Sequence, residues 1–438
     1  MKTPNTAPTA YQAPRLKNLS GHWMALFTVT MGYALATQSL HAQEFSASPA
    51  PAAPAVSDFA EPNDGEFESS RFRTSLDVRH GYDDNVYTDP RGEEVGSMFT
   101  GINLGVNRNL GGERTQVDIG IDVGGDYYWD VPEDDFFWRI RGQLGITHRM
   151  SPRLTVGLAS SLIYESEPDF EESFSRNSRL GNYIFSRNRI FASYRWSPRF
   201  STITSYSLNA IFYEDGNVAS SSDRLEHFFG QELRYLYSPT TTLVGEYRFG
   251  IVSYDGSSSR DSTSHYLLGG IDHQLNPRSL LTLRAGAEFR DFDNGGDETS
   301  PYVEANLRYA YGERSSISLI SRYGFEQSEF DQLQERTTLR TGVRLTHGFT
   351  PRTNLNVSAF YVWDDYDRGN QAFDVETGQQ LSVGSFSEEL LSISVGLDYA
   401  LNRTFTVSAN YTYSEVFSDV AFREYDRSRY WLGLRATF

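Results

Sequence analysis

Period-two alternation of apolar and polar residues, eight tight turns alternating with nine longer polar stretches, and an amphipathic C-terminal segment predict an all-β chain. The architecture these imply is a transmembrane antiparallel up-and-down β-barrel of about 18 strands. The last ten residues show the pattern in miniature. Tyr430, Leu432, Leu434, Ala436 and Phe438 share one face, and Arg429, Trp431, Gly433, Arg435 and Thr437 share the other. An exposed apolar strand is an aggregation hazard in water, whereas a closed barrel set in lipid is built from such strands.

Composition narrows the choice. A mean hydropathy of −0.48 is that of a water-soluble protein, but a barrel wall alternates lipid-facing with lumen-facing residues, so averaging conceals it. The 27 Tyr and 29 Phe suffice for aromatic girdles at the two membrane interfaces. The absence of cysteine excludes a disulfide scaffold, a thiolate metal site, a Cys nucleophile and a lipidated cysteine anchor. Beyond residue 42 no apolar run approaches the roughly 18 to 20 residues of a spanning helix. A net charge of −18 argues against non-specific nucleic-acid binding.

Residues 1–42 have the form of a signal peptide. Lys2, Arg15 and Lys17 precede an apolar run from His22 to Leu35, and small residues suit cleavage after Ala36 or Ala42. Residues 43–69 are rich in Pro, Ala, Ser and acids, which predicts a disordered periplasmic linker. Residues 70–438 are the expected barrel. Its tight turns are Leu110–Arg114, Met150–Arg153, Trp196–Arg199, Tyr237–Thr240, Leu275–Arg278, Tyr311–Arg314, Phe349–Arg352 and Leu401–Thr404. The longer acidic stretches run Asp83–Ser97, Asp130–Asp135, Glu165–Leu180, Glu214–Asp223, Asp255–Ser264, Asp291–Thr299, Gln327–Gln334, Asp364–Leu381 and Ser418–Asp426. Eight turns alternating with nine loops place both termini on the short-turn side, the periplasmic side in bacterial barrels. Segments such as Thr115–Trp129 and Phe137–Arg149 are long enough to cross a tilted bilayer. Propeller blades would need four shorter strands per repeat.

The two faces of the wall differ in chemistry. Val117, Ile119, Ile121 and Val123 belong to the lipid face, as do Leu391, Ile393, Val395 and Leu397, with rings such as Trp129, Trp138 and Trp196 at strand ends. The lumen face carries Asp118 and Asp122, Arg139 and Arg141, and Arg284 with Glu288 and Arg290. Arg308, Arg322, Arg336, Arg340 and Arg344 continue it. Arg stays charged when crowded and presents a planar fork to carboxylate or phosphate. Two readings fit these residues. Neighbouring strands pair Arg with Asp or Glu and cement the wall, or unpaired arginines form a constriction that guides an anionic solute. The run Arg336, Arg340, Arg344, with no acid on that face of its own segment, suits the second.

Gly81-Tyr-Asp-Asp-Asn-Val-Tyr87, the Ser-Pro-Arg turns and the terminal Phe438 resemble the β-barrel porins of the "porin 2" type, associated with exopolysaccharide export. The resemblance covers about Ser69 to Phe438 and implies a bacterial outer-membrane channel that passes polysaccharide and works with a periplasmic export assembly. The end formed by Tyr430, Leu432, Leu434 and Phe438 is similar to the C-terminal signature of outer-membrane barrels, which implies recognition by the barrel-insertion machinery. Outer-membrane lipid is the other expected partner, and no cofactor or metal is expected. A general diffusion porin is the alternative, with Asp364–Leu381 as the loop long enough to fold inward. An outer-membrane barrel enzyme is a third possibility, but His80, His148, His227, His265, His273 and His347 sit in no catalytic motif. Asp291–Glu298 is acidic without the spacing of an EF-hand.

Overall fold

The computed structural model describes residues 72–132, 135–168, 181–256, 260–293, 295–328, 335–366, 372–373, 380–381, 385–420 and 423–438. The leader and linker expected over residues 1–69 lie outside them. Strands β1 (Arg73–Asp83), β2 (Ser97–Gly111), β3 (Thr115–Tyr128), β4 (Phe136–Arg149), β5 (Leu154–Glu165), β6 (Tyr183–Arg195) and β7 (Phe200–Tyr213) come first. A helix, α1 (Gly216–Ser222), precedes β8 (Arg224–Ser238), β9 (Thr241–Tyr254), β10 (Ser262–Asn276), β11 (Ser279–Phe292) and β12 (Asp297–Gly312). Then follow β13 (Ser315–Gln327), β14 (Glu335–Thr350), β15 (Thr353–Tyr366), the two-residue strands β16 (Ala372–Phe373) and β17 (Gln380–Leu381), β18 (Phe386–Ala400), β19 (Phe405–Ser418) and β20 (Tyr425–Thr437).

All except β16 and β17 join one 18-stranded antiparallel sheet. It closes where β1 meets β20, in register from Ser75 opposite Thr437 to Asp83 opposite Arg429. Closure leaves no edge strand in this sheet. The terminal residue lies inside the seam: Phe438 N donates to Thr74 O at 2.8 Å and Thr74 N donates back to Phe438 O at 3.1 Å. Gly81 leaves no room for a side chain in this seam, since a Cβ there would lie 2.6 Å from that of Trp431.

The predicted alternation of faces is present. Tyr430, Leu432 and Leu434 are exposed at 52%, 66% and 44%, while Trp431 between them is 6% exposed. Each turn is fixed by its own chemistry. Ser151 Oγ accepts from Arg153 N at 3.2 Å, Ser197 Oγ from Arg199 N at 3.3 Å and Asn276 Oδ1 from Arg278 N at 2.8 Å. The intervening Pro presets φ for the bend.

The loop end departs from the expectation in two places. Glu214–Asp223, expected as a plain polar loop, contains α1: Asp215 Oδ1 accepts from Val218 N at 3.2 Å, an N-cap contact, and Val218 is buried against Ile163, Tyr183, Phe185, Ile211 and Tyr213. β3 stops at Tyr128, one residue short of the expected Trp129, before Asp130 takes φ 57°. Of the Asp364–Leu381 stretch, residues 367–371 and 374–379 lie outside the described residues, and β16 and β17, on either side of the second of these segments, pair with each other.

Candidate functional site: the lumen wall

On several strands the inner wall is graded along the barrel axis. On β3, Asp126 and Tyr128 near the loop end are buried, whereas Asp118 near the turn end is exposed. On β12, Tyr302 is buried and Arg308, toward the turn end, is exposed. The cause is the loops, which fold inward. Val86 packs against Phe99, Tyr128 and Trp431, and Val218 against the inner faces of β5 to β7. On these strands the loop-end positions are packed and the turn-end positions are exposed, whereas on β1, β8, β11 and β20 Asp77, Arg234, Arg284 and Arg435 are buried toward the turn end as well.

One ion-pair network lines the seam. Arg79 on β1 reaches past β2 to Asp126 on β3, with Nε to Oδ1 at 3.0 Å and Nη2 to Oδ2 at 2.6 Å. Arg429 joins the same carboxylate at 2.7 Å and lies 4.3 Å over the Phe99 ring. Beside it, Arg427 Nε and the Tyr128 hydroxyl donate to Asp83 at 2.9 and 2.8 Å. Glu167, two residues past β5, accepts from Arg427 at 2.8 Å and from Arg429 at 3.3 Å. Its strand stands five places round the wall from β20, so Glu167 is held inside the bore and not above it.

The opposite wall carries a second network. Arg284 binds Asp272 at 2.8 Å, Arg234 bridges Glu232 and Asp272, and Arg248 binds Glu246 at 2.9 Å and Glu304 at 3.5 Å. Arg290 binds Glu288 at 2.7 Å, and Ser264 donates to the same oxygen at 3.0 Å. On β13 to β15, Glu326 gathers Arg322, Arg336 at 3.4 Å and Arg340 at 3.0 Å, while Arg336 also reaches Asp364 at 3.2 Å. A charge this buried persists only with such partners.

The expected lumen residues all face inward, but they divide by environment. Arg141 is fastened to Glu165 at 2.7 Å. Arg336 and Arg340, without an acid on the same face of their own strand, find one on each neighbouring strand or on β13, so they are cross-strand cement. Arg139 stands opposite Gly124, and Arg344 between Ser318 and Ser358. Asp118 accepts from Asn109, Asp122 from Asn103 at 3.5 Å, and Asp398 from Asn356 at 3.0 Å. Arg308 and Arg189 make no ion pair among the described residues. Asp77, Arg79, Asp83, Glu167, Arg189, Asp272, Asp398 and Arg427 also belong to the wall and were not singled out from the sequence. Strand parity would have found the inward-facing ones; nothing local marks Glu167.

The six histidines of the strands all take outward positions. His148 shares a hydrogen bond with Thr115 at 2.8 Å, His227 with Tyr206 at 2.9 Å, His265 with Tyr247 at 2.8 Å and His347 with Tyr311 at 2.9 Å. His80 and His273 pair likewise with Thr100 and Thr241. They are dispersed around the wall's exterior and converge on no site. Among the described residues no group of three or more His, Asp or Glu side chains is placed to hold a metal ion.

A closed barrel that is apolar outside and charged and hydrogen-bonded inside is a porin-type outer-membrane β-barrel, a channel wall. The chain belongs to the family described as "Putative beta-barrel porin 2", whose model matches residues 71–438. No curated protein matches it in sequence. Similar solved structures include Pseudomonas aeruginosa OccK2 (OpdF) in complex with glucuronate, 13% identical, covering 84% of this chain and 98% of that one, with a TM-score of 0.45. Pseudomonas aeruginosa OpdK with vanillate is 12% identical, with 84% and 99% covered and a TM-score of 0.44. Acinetobacter baumannii OccAB4 is 11% identical, with 85% and 99% covered and a TM-score of 0.42.

Proposed function

We propose that the barrel sits in the bacterial outer membrane and passes hydrated polar solutes, a polysaccharide chain first among them. The observation that carries this reading is the placement of the free charges. Asp118 on β3 and Arg308 on β12 stand nine strands apart in a ring of 18, and therefore on opposite sides of the bore, both exposed and both in the turn half. Opposed charges across a water-filled passage set up a transverse field that orients dipolar, hydroxyl-rich solutes without barring either ion sign. Between them the wall offers neutral hydrogen-bonding groups, as at Asn410 and Thr412 on β19. Such groups suit a sugar chain, whose hydroxyls exchange one partner for the next as it moves.

A small-solute diffusion porin is the second reading, and the inward Glu167 latch favours it because it narrows the loop half. Planar-bilayer recording separates the two. Neutral and acidic oligosaccharides added on the turn side should block the current in a length-dependent way if a chain threads the bore. Free passage of monosaccharides with no block by longer chains would return the protein to the diffusion class, and no conductance at all would reject a channel. On the proposed reading the partners are lipid, an insertion machinery that reads Tyr430, Leu432, Leu434 and Phe438, and a periplasmic export assembly.

A further inference from the structure

The turn end repeats one unit that the passage of solute does not use. At four turns a large apolar residue precedes the bend and an Arg closes it three positions later. The apolar members, Met150, Trp196, Leu275 and Phe349, are exposed at 56%, 58%, 52% and 58%. They continue the outward columns of β4, β6, β10 and β14, so each extends the lipid-facing surface to its limit. The arginines, Arg153, Arg199, Arg278 and Arg352, are exposed and make no ion pair among the described residues.

The backbone of each Arg is pinned on both sides. Its N–H donates to the Ser, Asn or Thr two residues earlier. Its carbonyl accepts from the next hairpin, from Arg195, Leu236, Ala310 and Ala400 N respectively, each at 2.8 Å. Only the guanidinium is left without a task. The chain holds 57 acidic against 39 basic residues, yet the eight turns contain seven arginines and only two acids, Glu113 and Glu313. Positive charge has thus been gathered at one rim of an acidic protein, beside side chains that need hydrocarbon.

We propose that these four turns form a collar of phosphate-binding sites for the headgroups of anionic phospholipid in the leaflet at the turn end. In each unit the apolar residue enters the acyl region and the guanidinium fork takes the phosphate. A soluble anion would account for the arginines but leave the adjoining apolar side chains in water. The collar fixes the depth and tilt of the barrel at the rim where its loops give no support. It rests on the membrane-spanning reading above, and it is tested separately from conduction.

The test compares the full chain with the quadruple variant R153Q/R199Q/R278Q/R352Q, both folded in detergent. Phosphatidylglycerol is titrated in, and retained lipid is counted by native mass spectrometry. The wild type should retain phosphatidylglycerol over phosphatidylcholine, and the variant should lose about threefold or more of that retention while keeping its β-spectrum and conductance. A quadruple Lys variant should fall between them, since it keeps the charge and loses the fork. Equal retention by wild type and Gln variant would overturn the collar, leaving the arginines to an acidic protein partner. Conductance serves as the independent arm: its loss from both proteins with lipid retention still different would count against the channel alone.

Discussion

Arg79 and Asp126 sit on strands that do not touch, β1 and β3, and meet over the residue between them. That residue is Gly101, directly opposite both in the β-ladder. A Cβ there would collide with Asp126 Oδ1 and lie 2.8 Å from Arg79 Nε. The glycine is thus the opening through which two buried charges find each other, and the seam network is assembled on that bridge.

Replacing Gly101 with Val should therefore destabilise the barrel by far more than a strand glycine substitution usually does. It separates a buried pair, a loss of about 3 to 5 kcal/mol, and adds overpacking. Gly245→Ala is the control, because a Cβ at that position meets nothing within 4 Å. Thermal unfolding in detergent, followed by heat-modifiable migration, should show a large fall for the first and almost none for the second. Similar midpoints would mean that the bridge contributes little.

The free wall charges give opposite signs of effect. Arg308→Ala should shift the reversal potential in a salt gradient toward cation preference, and Asp118→Asn should shift it toward anions, each by a fraction of the full range because a single charge is removed. Arg340→Ala should behave differently. It removes one of three arginines gathered on Glu326, so its main effect should be on the unfolding midpoint, costing about 3 kcal/mol, with selectivity little moved. Identical selectivity shifts for Arg308 and Arg340 variants would show that pairing does not decide which arginines act on ions.

These contrasts also mark what the sequence makes legible. The strands, their faces and the count of 18 follow from a period of two between turn signals, which is local information. Ion-pair partners are not local. Arg340 is joined to Glu326 fourteen residues back, but Arg427 is joined to Asp83 at a separation of 344 residues, a contact that exists only once the last strand closes on the first. Parity alone puts Arg336, Arg340 and Arg344 on the bore and makes them look uncompensated; register supplies the acids for Arg336 and Arg340. The inward fold of Glu167 and the helix at Gly216–Ser222 depend on what the loop meets inside the mouth, and an acidic loop composition carries no trace of that.

Glu167 yields a prediction of its own. Its carboxylate holds the segment after β5 against Arg427 and Arg429, so Glu167→Gln removes the charge from both contacts and keeps the shape. Single-channel conductance should rise, with more frequent fluctuation between levels, and Arg427 and Arg429, each keeping a carboxylate partner but losing Glu167, should increase anion preference. A quiet pore of wild-type conductance would show that the latch does not limit flow.

The terminal strand tests the membrane reading at single-residue scale. Leu432 and Arg435 lie three residues apart on β20, one at 66% exposure on the outward face and the other buried against Asp77 at 2.7 Å. In water, Leu432→Arg at so exposed a position would be nearly neutral. In lipid it places a charge among acyl chains, at a cost of about 2 to 4 kcal/mol near the midplane. Folding yield and reversible stability should therefore drop for Leu432→Arg in phospholipid vesicles, and the penalty should shrink in short-chain detergent, whose looser micelle lets the charge reach water. Arg435→Ala should destabilise equally in both, since the Asp77 carboxylate it abandons lies inside the wall and never meets the lipid. If the two variants responded to the change of medium in the same way, the outward face would not be the one that meets the bilayer.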